Sequence, residues 1–303
     1  MGKIKVTFLG TTAGIPTRKR AHPAIHLSYE GRSGFFCLFD CGEGAQRQML
    51  LAGLNLMKLS AIFITHWHPD HYLGLPGLVY TMNFEGRQKP LSVYIPEVEK
   101  LGNLIKLGHP SRNFEIVPED VPVEGSEIKT LLETDSFKVV SIPVEHNVPA
   151  VAYGLIEKDE IGIDKEKARK IGLPAQGVIY REIKEKGKAI FQDREIKLED
   201  VSLIKKGKKV VYSGDTKICE NLIKLARDAD LLIQDCTYFD LEDADKYMHA
   251  SFKDVVEMVR EANVKEVVLT HISRRYKNPK ELKKQIQDLS NFKIAEDFMR
   301  ITI

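Results

Sequence analysis

Three histidines and an aspartate fall within six consecutive positions, His66-Trp67-His68-Pro69-Asp70-His71, in a chain with nine histidines among 303 residues. Chance does not readily produce such a cluster. On a helix, imidazoles at i and i+2 point apart, and metal pairs there need i, i+4 spacing. In extended backbone the same positions share a side, so His66 and His68 can grip one ion. Asp70 and His71, carried round by a turn, can face a second ion beside it. Nitrogen and carboxylate donors without thiolate suit Zn²⁺ or Mn²⁺ and leave room for water.

Such a cluster needs a rigid support. Ala61 to Ile64 is an apolar, β-branched run that reads as a buried strand. Pro69 is excluded from a helix interior and from a central strand, so Thr65 to Pro69 reads as a loop at the strand's C-terminal end. From Asp70 the pattern turns helical, with Leu73, Leu75, Leu78, Val79 and Met82 available for one buried face. Asp70 then lies near a helix N-terminus, where a carboxylate is favoured. Three more candidates stand just past apolar strands: His146 after Val139–Val144, Asp215 after Val210–Gly214, and His271 after Val267–Thr270. Polar residues at several strand ends, pointing into one cleft, are how α/β layers build sites.

Composition sets the bounds. Hydrophobic residues make up 43% and charged residues 29%, the profile of an ordinary globular protein. No apolar run approaches the ~18 residues of a membrane span, and the N-terminus enters a strand at once, with no signal peptide to be seen. Cys37, Cys41, Cys219 and Cys236 lack zinc-knuckle spacing and sit among apolar residues, as buried thiols do in a reducing cytoplasm. The net charge of +2 is too small to announce nucleic acid by itself.

Along the chain, strands are expected at Met1–Leu9, Pro23–Tyr29 and Gly34–Asp40, the first two separated by a Gly-rich turn and a basic loop. Asp40 reads as a helix N-cap or as an acceptor for a metal-bound imidazole. After the cluster come a strand at Leu91–Ile95, a helix near Glu97–Leu107, and strands near Phe114–Val117, Glu127–Leu131, Phe137–Pro143 and Val151–Glu157. From about Glu157 to Lys209 Lys, Arg and Glu dominate, which reads as an excursion of one short helix and a turn rather than core. Strand–helix alternation then resumes to the end, with a helix at Pro279–Leu289 and a strand at Phe298–Ile303. Two mirrored halves of one sandwich fit this order.

The full set of His66, His68, Asp70 and His71 with distal His146, Asp215 and His271 resembles the metallo-β-lactamase superfamily. The resemblance implies an α/β fold, a four-layer αββα sandwich, with two Zn²⁺ per subunit. His66, His68 and His146 would hold one ion and Asp70, His71 and His271 the other, with Asp215 bridging and a hydroxide between them. Further segments are similar to ribonuclease Z, the tRNA 3′-processing endonuclease: Gly10-Thr11-Thr12-Ala13-Gly14 with the loop Pro16-Thr17-Arg18-Lys19-Arg20, Phe39-Asp40-Cys41-Gly42-Glu43-Gly44, Gly74-Leu75-Pro76-Gly77-Leu78, and Leu269-Thr270-His271-Ile272-Ser273-Arg274. The chain departs from that family's pattern at three places. Arg18 and Ala21 replace a Lys and an Asn, Gln234-Asp235-Cys236-Thr237 replaces His-Glu-Ala-Thr, and Val178 replaces a Pro.

What the resemblance implies is specific. One domain, 1–303, would carry a protruding basic arm inserted at about 157–205 that binds tRNA. Asp70 would orient the nucleophile, His249 would act as general acid and Asp235 would orient His249. Precursor tRNA would be cut to leave a 3′-hydroxyl on the tRNA and a 5′-phosphate on the trailer. Arg18, Arg20 and Arg274, with Lys165, Lys167, Arg169, Lys170, Arg181 and Lys184 of the arm, would contact the RNA by charge and shape. A cytoplasmic homodimer with no membrane contact completes the expectation. The rivals are a small-molecule phosphodiesterase or other hydrolase on the same scaffold, and a non-catalytic RNA-binding subunit.

Overall fold

The computed structural model describes residues 2–31, 34–106 and 113–303. Met1 and Leu107, the expected ends of one strand and one helix, lie outside them. The chain divides into two compact units, Glu157–Gly207 and the remainder, Gly2–Ile156 with Lys208–Ile303.

The larger unit is built on two seven-stranded sheets. One runs, edge to edge, Arg300–Thr302, Lys3–Gly10, Ala24–Glu30, Phe35–Phe39, Ala61–Phe63, Leu91–Ile95 and Ile116–Asp120. The other runs Phe292–Ile294, Glu266–Thr270, Leu231–Asp235, Lys209–Tyr212, Ala150–Glu157, Phe137–Val144 and Lys129–Glu133. Period-2 alternation makes the layers. Phe63 and Val210 point into the core that the two sheets share with Val6, Phe39, Tyr153 and Ile233. Their neighbours Ile62 and Val211 point the other way, under helices: Ile62 beneath Met49, Leu78 and Met82, Val211 beneath Leu222, Leu225 and Val255. The order is therefore helix, sheet, sheet, helix. Each sheet has a parallel half, Phe35–Phe39 through Ile116–Asp120 and Lys209–Tyr212 through Phe292–Ile294. The C-terminal ends of those strands launch the loops that hold His66 to His71, Asp215 and His271, while His146 follows Phe137–Val144 in the antiparallel half.

Several expectations need correction. Pro69 is not in the loop but opens the helix Pro69–Tyr72 at its first position, where its missing N–H has no helical partner to lose. Leu73 lies between that helix and Leu75–Phe84 and is 47% exposed, whereas Leu75, Leu78, Val79 and Met82 are buried as expected. The strand near Phe114 starts at Ile116 and runs through Pro118, tolerated because this strand is the sheet edge. The helix at Pro279 stops at Gln285, and the helix Leu241–Lys246 and strand Phe292–Ile294 were not foreseen.

The unit Glu157–Gly207 is more ordered than one helix and a turn. It contains two hairpin-like pairs, Glu160–Ile163 with Ser202–Lys205 and Lys188–Phe191 with Arg194–Lys197, and helices Lys165–Lys170, Ile179–Lys186 and Leu198–Val201. Ala168, Leu173, Ile183, Ala189, Ile196 and Val201 form its own small core. Its six core residues are scattered through a sequence dominated by Lys, Arg and Glu, so that sequence reads as solvated surface. No helix among the described residues is long and apolar enough to cross a membrane.

His26, inside Ala24–Glu30, is buried, and desolvation with help from Arg300 pushes its pKa down to about 4. The folded protein thus holds it neutral, while the unfolded chain takes up a proton near the ordinary value of 6.5. Stability from this group is complete above that value and is lost as pH falls toward 4, by about 3 kcal/mol. His26→Leu removes the titration. The unfolding free energy of the parent relative to the variant is expected to fall by about that amount between pH 7 and pH 4 in denaturant titrations. A pH-independent difference would refute the assignment.

Candidate metal centre

Three groups of donors meet at the strand ends. His66, His68, His146 and Asp215 form one, Asp70, His71 and His271 another, and Asp215, Asp235, His249 and His271 a third, with the ligand atoms of each group within 4.8 Å of one another. Asp215 Oδ2 lies 3.3 Å from His71 Nε2, 3.3 Å from His271 Nε2 and 3.7 Å from His66 Nε2. Asp70 Oδ2 lies 3.4 Å from His271 Nε2 and 3.6 Å from His71 Nε2. All seven residues expected to hold metal are thus drawn together, Asp215 standing between the two sets.

Outer hydrogen bonds fix how four of the five rings are turned. His71 Nδ1 donates to Asp40 Oδ2 at 2.7 Å, His146 Nδ1 to the Met248 carbonyl at 3.0 Å, His271 Nδ1 to Thr237 Oγ1 at 2.7 Å and His66 Nδ1 to Thr65 Oγ1 at 2.9 Å. Every one of these leaves Nε2 facing the cluster, and such partners orient and tune metal-bound imidazoles. Asp40 is the hub. Fully buried, it also accepts from the Thr65 N–H at 2.8 Å and the Tyr212 hydroxyl at 2.7 Å. Of its two expected roles, cap and acceptor, the second holds, because Gly44 in left-handed backbone caps the helix Ala45–Leu51.

Electrostatics and unmet bonding capacity agree on what the cluster takes. Burial, then His71, keeps His66 well below the usual imidazole range. Burial opposes protonation of His71 too, but Asp215, Asp40 and Asp70 outweigh it and lift its pKa well above normal. His271 is likewise pushed up to about 10, burial overcome by Asp215, Asp235 and Asp70. Burial would raise Asp215, yet His271 and His71 hold it well below the carboxylate range. The carboxylates therefore demand positive charge among them. Two buried polar atoms, His66 Nε2 and Asp215 Oδ1, have no hydrogen-bond partner, a state that costs about 1–3 kcal/mol each unless something binds there. Two ring nitrogens 3.2 Å apart, His146 Nε2 and His68 Nδ1, also need a proton or cation between them. Nitrogen and carboxylate donors with these vacant lone pairs fit divalent cations.

Beside the metal donors stands His249, its Nδ1 donating to Asp235 Oδ2 at 2.7 Å. Burial lowers its pKa, but Asp235 wins and raises it. Asp235 is buried and also accepts from the Thr237 hydroxyl at 2.7 Å, so one carboxylate supports both His249 and, through Thr237, His271. A cleft of about 270 Å³ is lined by His68, Asp70, Asp215, His249 and His271, with Gly14 and Ile15 on one wall and Tyr238 and Arg274 on another.

The expected RNA contacts fall in two units. Arg274 lines the cleft and Arg18 is exposed on the loop, but Arg20 is turned inward, bonded to Thr11 and to the Ala295 carbonyl. In the unit Glu157–Gly207, Lys165, Lys167, Arg169, Lys170, Arg181 and Lys184 are all exposed. Lys165, Arg181 and Lys184 line one groove of about 500 Å³ with Tyr180 and Ile163. Thr65, Tyr212 and Thr237 were missed, being ordinary strand-end residues in the text. Gly14 was read only as a turn.

A family model described as "Anti-Pycsar protein Apyc1" matches residues 4–202, and one described as "Beta-lactamase superfamily domain" matches residues 190–272. Among solved structures, the metallo-β-lactamase fold protein YhfI from Bacillus subtilis superposes with a TM-score of 0.69 at 18% identity, covering 100% of both chains. The human short form of tRNase Z superposes with a TM-score of 0.69 at 25% identity, covering 98% of each. Fold and donor cluster define a metallo-β-lactamase-fold protein. The ribonuclease Z of Archaeoglobus fulgidus is 40% identical over 307 residues, 99% of this chain and 97% of that one. That of Methanosarcina acetivorans is 37% identical over 310 residues, covering 99% and 98%. The chain belongs to the ribonuclease Z family.

Proposed function

We propose that this protein is a zinc-dependent endoribonuclease that removes the 3′ trailer from precursor tRNA. The observation that carries the reading is the convergence of seven nitrogen and carboxylate donors, with Asp215 between the two sets, in a full-length ribonuclease Z relative. His66, His68 and His146 would hold one divalent cation and Asp70, His71 and His271 another, with Asp215 contributing to the site, and bound metal would supply Lewis acidity there. The protein's own groups do the rest. Asp235 keeps His249 protonated and aimed, and His249 delivers that proton to the departing 3′-oxygen of the tRNA. Asp70 orients the nucleophile, and Arg274 on the cleft wall neutralises phosphate charge. The products are a tRNA 3′-hydroxyl and a trailer with a 5′-phosphate. Incubation of a 3′-extended precursor with the protein should give those ends, and a chelator should abolish the cut. A 2′,3′-cyclic phosphate, or cleavage indifferent to chelator, refutes the reading. Turnover of small cyclic esters without cleavage of the precursor would favour the rival phosphodiesterase.

The basic unit Glu157–Gly207 serves as the tRNA-binding arm in this reading. Its exposed Lys165, Lys167, Arg169, Lys170, Arg181 and Lys184 are placed to neutralise phosphates, and each phosphate contact adds nearly one to the salt dependence of binding. Changing Arg169, Arg181 and Lys184 to Gln should weaken precursor binding by about 10-fold or more and lower the slope of log affinity against log salt by about 2–3. Hydrolysis of a small phosphodiester should be unaffected. The four buried thiols suit a reducing cytoplasm. We take the enzyme to act as a homodimer, as the family resemblance implies.

A further inference from the structure

Arg20 resembles a substrate contact in the sequence, yet one nitrogen of its half-buried guanidinium is bonded twice within the protein. Nη1 donates to Thr11 Oγ1 at 2.6 Å and to the Ala295 carbonyl at 2.6 Å. The Thr11 hydroxyl, accepting from Arg20, donates in turn to Asp297 Oδ1 at 2.7 Å. Asp297 Oδ2 accepts the Ala21 N–H at 2.7 Å and the Gln48 side chain at 3.1 Å. Both ends of the loop, Thr11 and Ala21, are thereby fastened to one carboxylate at the far end of the chain. Backbone bonds continue the fastening: Thr11 and Thr12 N–H donate to the Ala21 carbonyl, and Ala13 N–H to that of Ile272, one residue past a metal donor.

The loop so fastened reaches the metal centre. Gly14 N–H donates to Asp70 Oδ2 at 2.9 Å, the same oxygen that lies 3.4 Å from His271 Nε2. The His22 ring bonds the Gly14 carbonyl at 3.1 Å from the other side. Gly14 has φ +59°, and a side chain there would meet nothing, so glycine is required by its left-handed backbone, which turns the N–H onto Asp70. Arg18 and Lys19, by contrast, are exposed at the loop tip.

We infer that Asp297, Thr11 and Arg20 form a latch that holds Gly14 N–H on Asp70, and that Arg20 is a positioning residue for the metal centre rather than an RNA contact. The inference builds on the proposed metal site but does not need the substrate to be tRNA. An amide donating to a carboxylate ligand fixes which lone pair it offers the ion, and removing such an outer partner costs about 10–100-fold in metal affinity. The latch acts as a unit, so breaking any one member should cost about as much as breaking two.

The test compares Arg20→Met, Asp297→Asn and their double variant with the parent. Three quantities are read: Zn²⁺ affinity by competition with a chromogenic chelator, amide exchange across residues 11–21, and the salt dependence of precursor-tRNA binding. Each variant should lose about 10–100-fold in Zn²⁺ affinity and exchange faster in the loop, with the double no worse than the singles and the salt slope unchanged. Unchanged Zn²⁺ affinity and exchange, with a salt slope lower by about 1 in Arg20→Met, would make Arg20 a phosphate contact and overturn the latch. Thr11→Val, which removes only the connecting hydroxyl, gives the same readouts should an Asp297 variant fail to fold. A parent that binds Zn²⁺ but leaves the precursor uncut defeats the proposed substrate alone, because the first two measurements use no RNA.

Discussion

Asp215→Ala is expected to yield a folded protein that retains little metal and cleaves precursor tRNA roughly 10³–10⁴-fold more slowly, the several kcal/mol that paired cations contribute to phosphoryl chemistry. Asp215 lies within reach of both donor sets, 3.7 Å from His66 and 3.3 Å from His71 and His271. Without it, two sets of three donors no longer share an oxygen, and the cluster loses a buried negative charge beside His66, His71 and His271 that attracts cations. The fold should survive, because the shared core of Phe8, Phe39, Phe63, Tyr153 and Val268 is assembled independently of the ligands. Elemental analysis, circular dichroism and precursor cleavage check the three parts. Retention of full metal content together with full activity would remove Asp215 from the site.

The second large effect separates proton transfer from metal chemistry. His249→Ala should lower kcat on precursor tRNA by about 10²–10⁴-fold. The 3′-oxygen of ribose is a poor leaving group that must be protonated as it departs. A p-nitrophenyl phosphodiester expels a phenolate stable enough to leave unaided, so turnover of that ester should change by less than about tenfold. Metal content should stay at the parental level, since His249, bonded to Asp235, shares a donor group with Asp215 and His271 but belongs to neither of the two sets proposed to hold the ions. Equal losses on both substrates would mean that His249 supports the site's structure or metal and is not the general acid.

How much of this was legible depends on what kind of signal each residue leaves. His66, His68, Asp70 and His71 are rare residue types crowded together, and His146, Asp215 and His271 each follow an apolar strand. Ligands at strand ends therefore announce themselves twice, by chemistry and by position. The supporting groups do not. Tyr212 reads as the last residue of a strand, and only the stacking of two sheets brings its hydroxyl to Asp40, 172 positions away. Arg20 looks like a surface cation because one of its acceptors is an ordinary threonine, Thr11, and the other is the carbonyl of Ala295, 275 positions away. The strands of Glu157–Gly207 were hidden for a different reason. Isolated apolar residues such as Ile183, Ile196 and Val201 make a core only when hairpin pairing gathers them. Leu73 failed through geometry, because the helix breaks at Gly74 and its expected face does not continue.

The donors come from both sheets: His66 to His71 follow Ala61–Phe63, while His146, Asp215 and His271 follow strands of the partner sheet. Neither sheet alone completes a set: His66 and His68 need His146, and Asp70 and His71 need His271, each from the other sheet. On the proposed function, capture of metal would then follow closure of the two sheets rather than precede it. Once seated, the ions act as a clasp across the seam, and metal supply becomes a determinant of how long the finished enzyme resists unfolding.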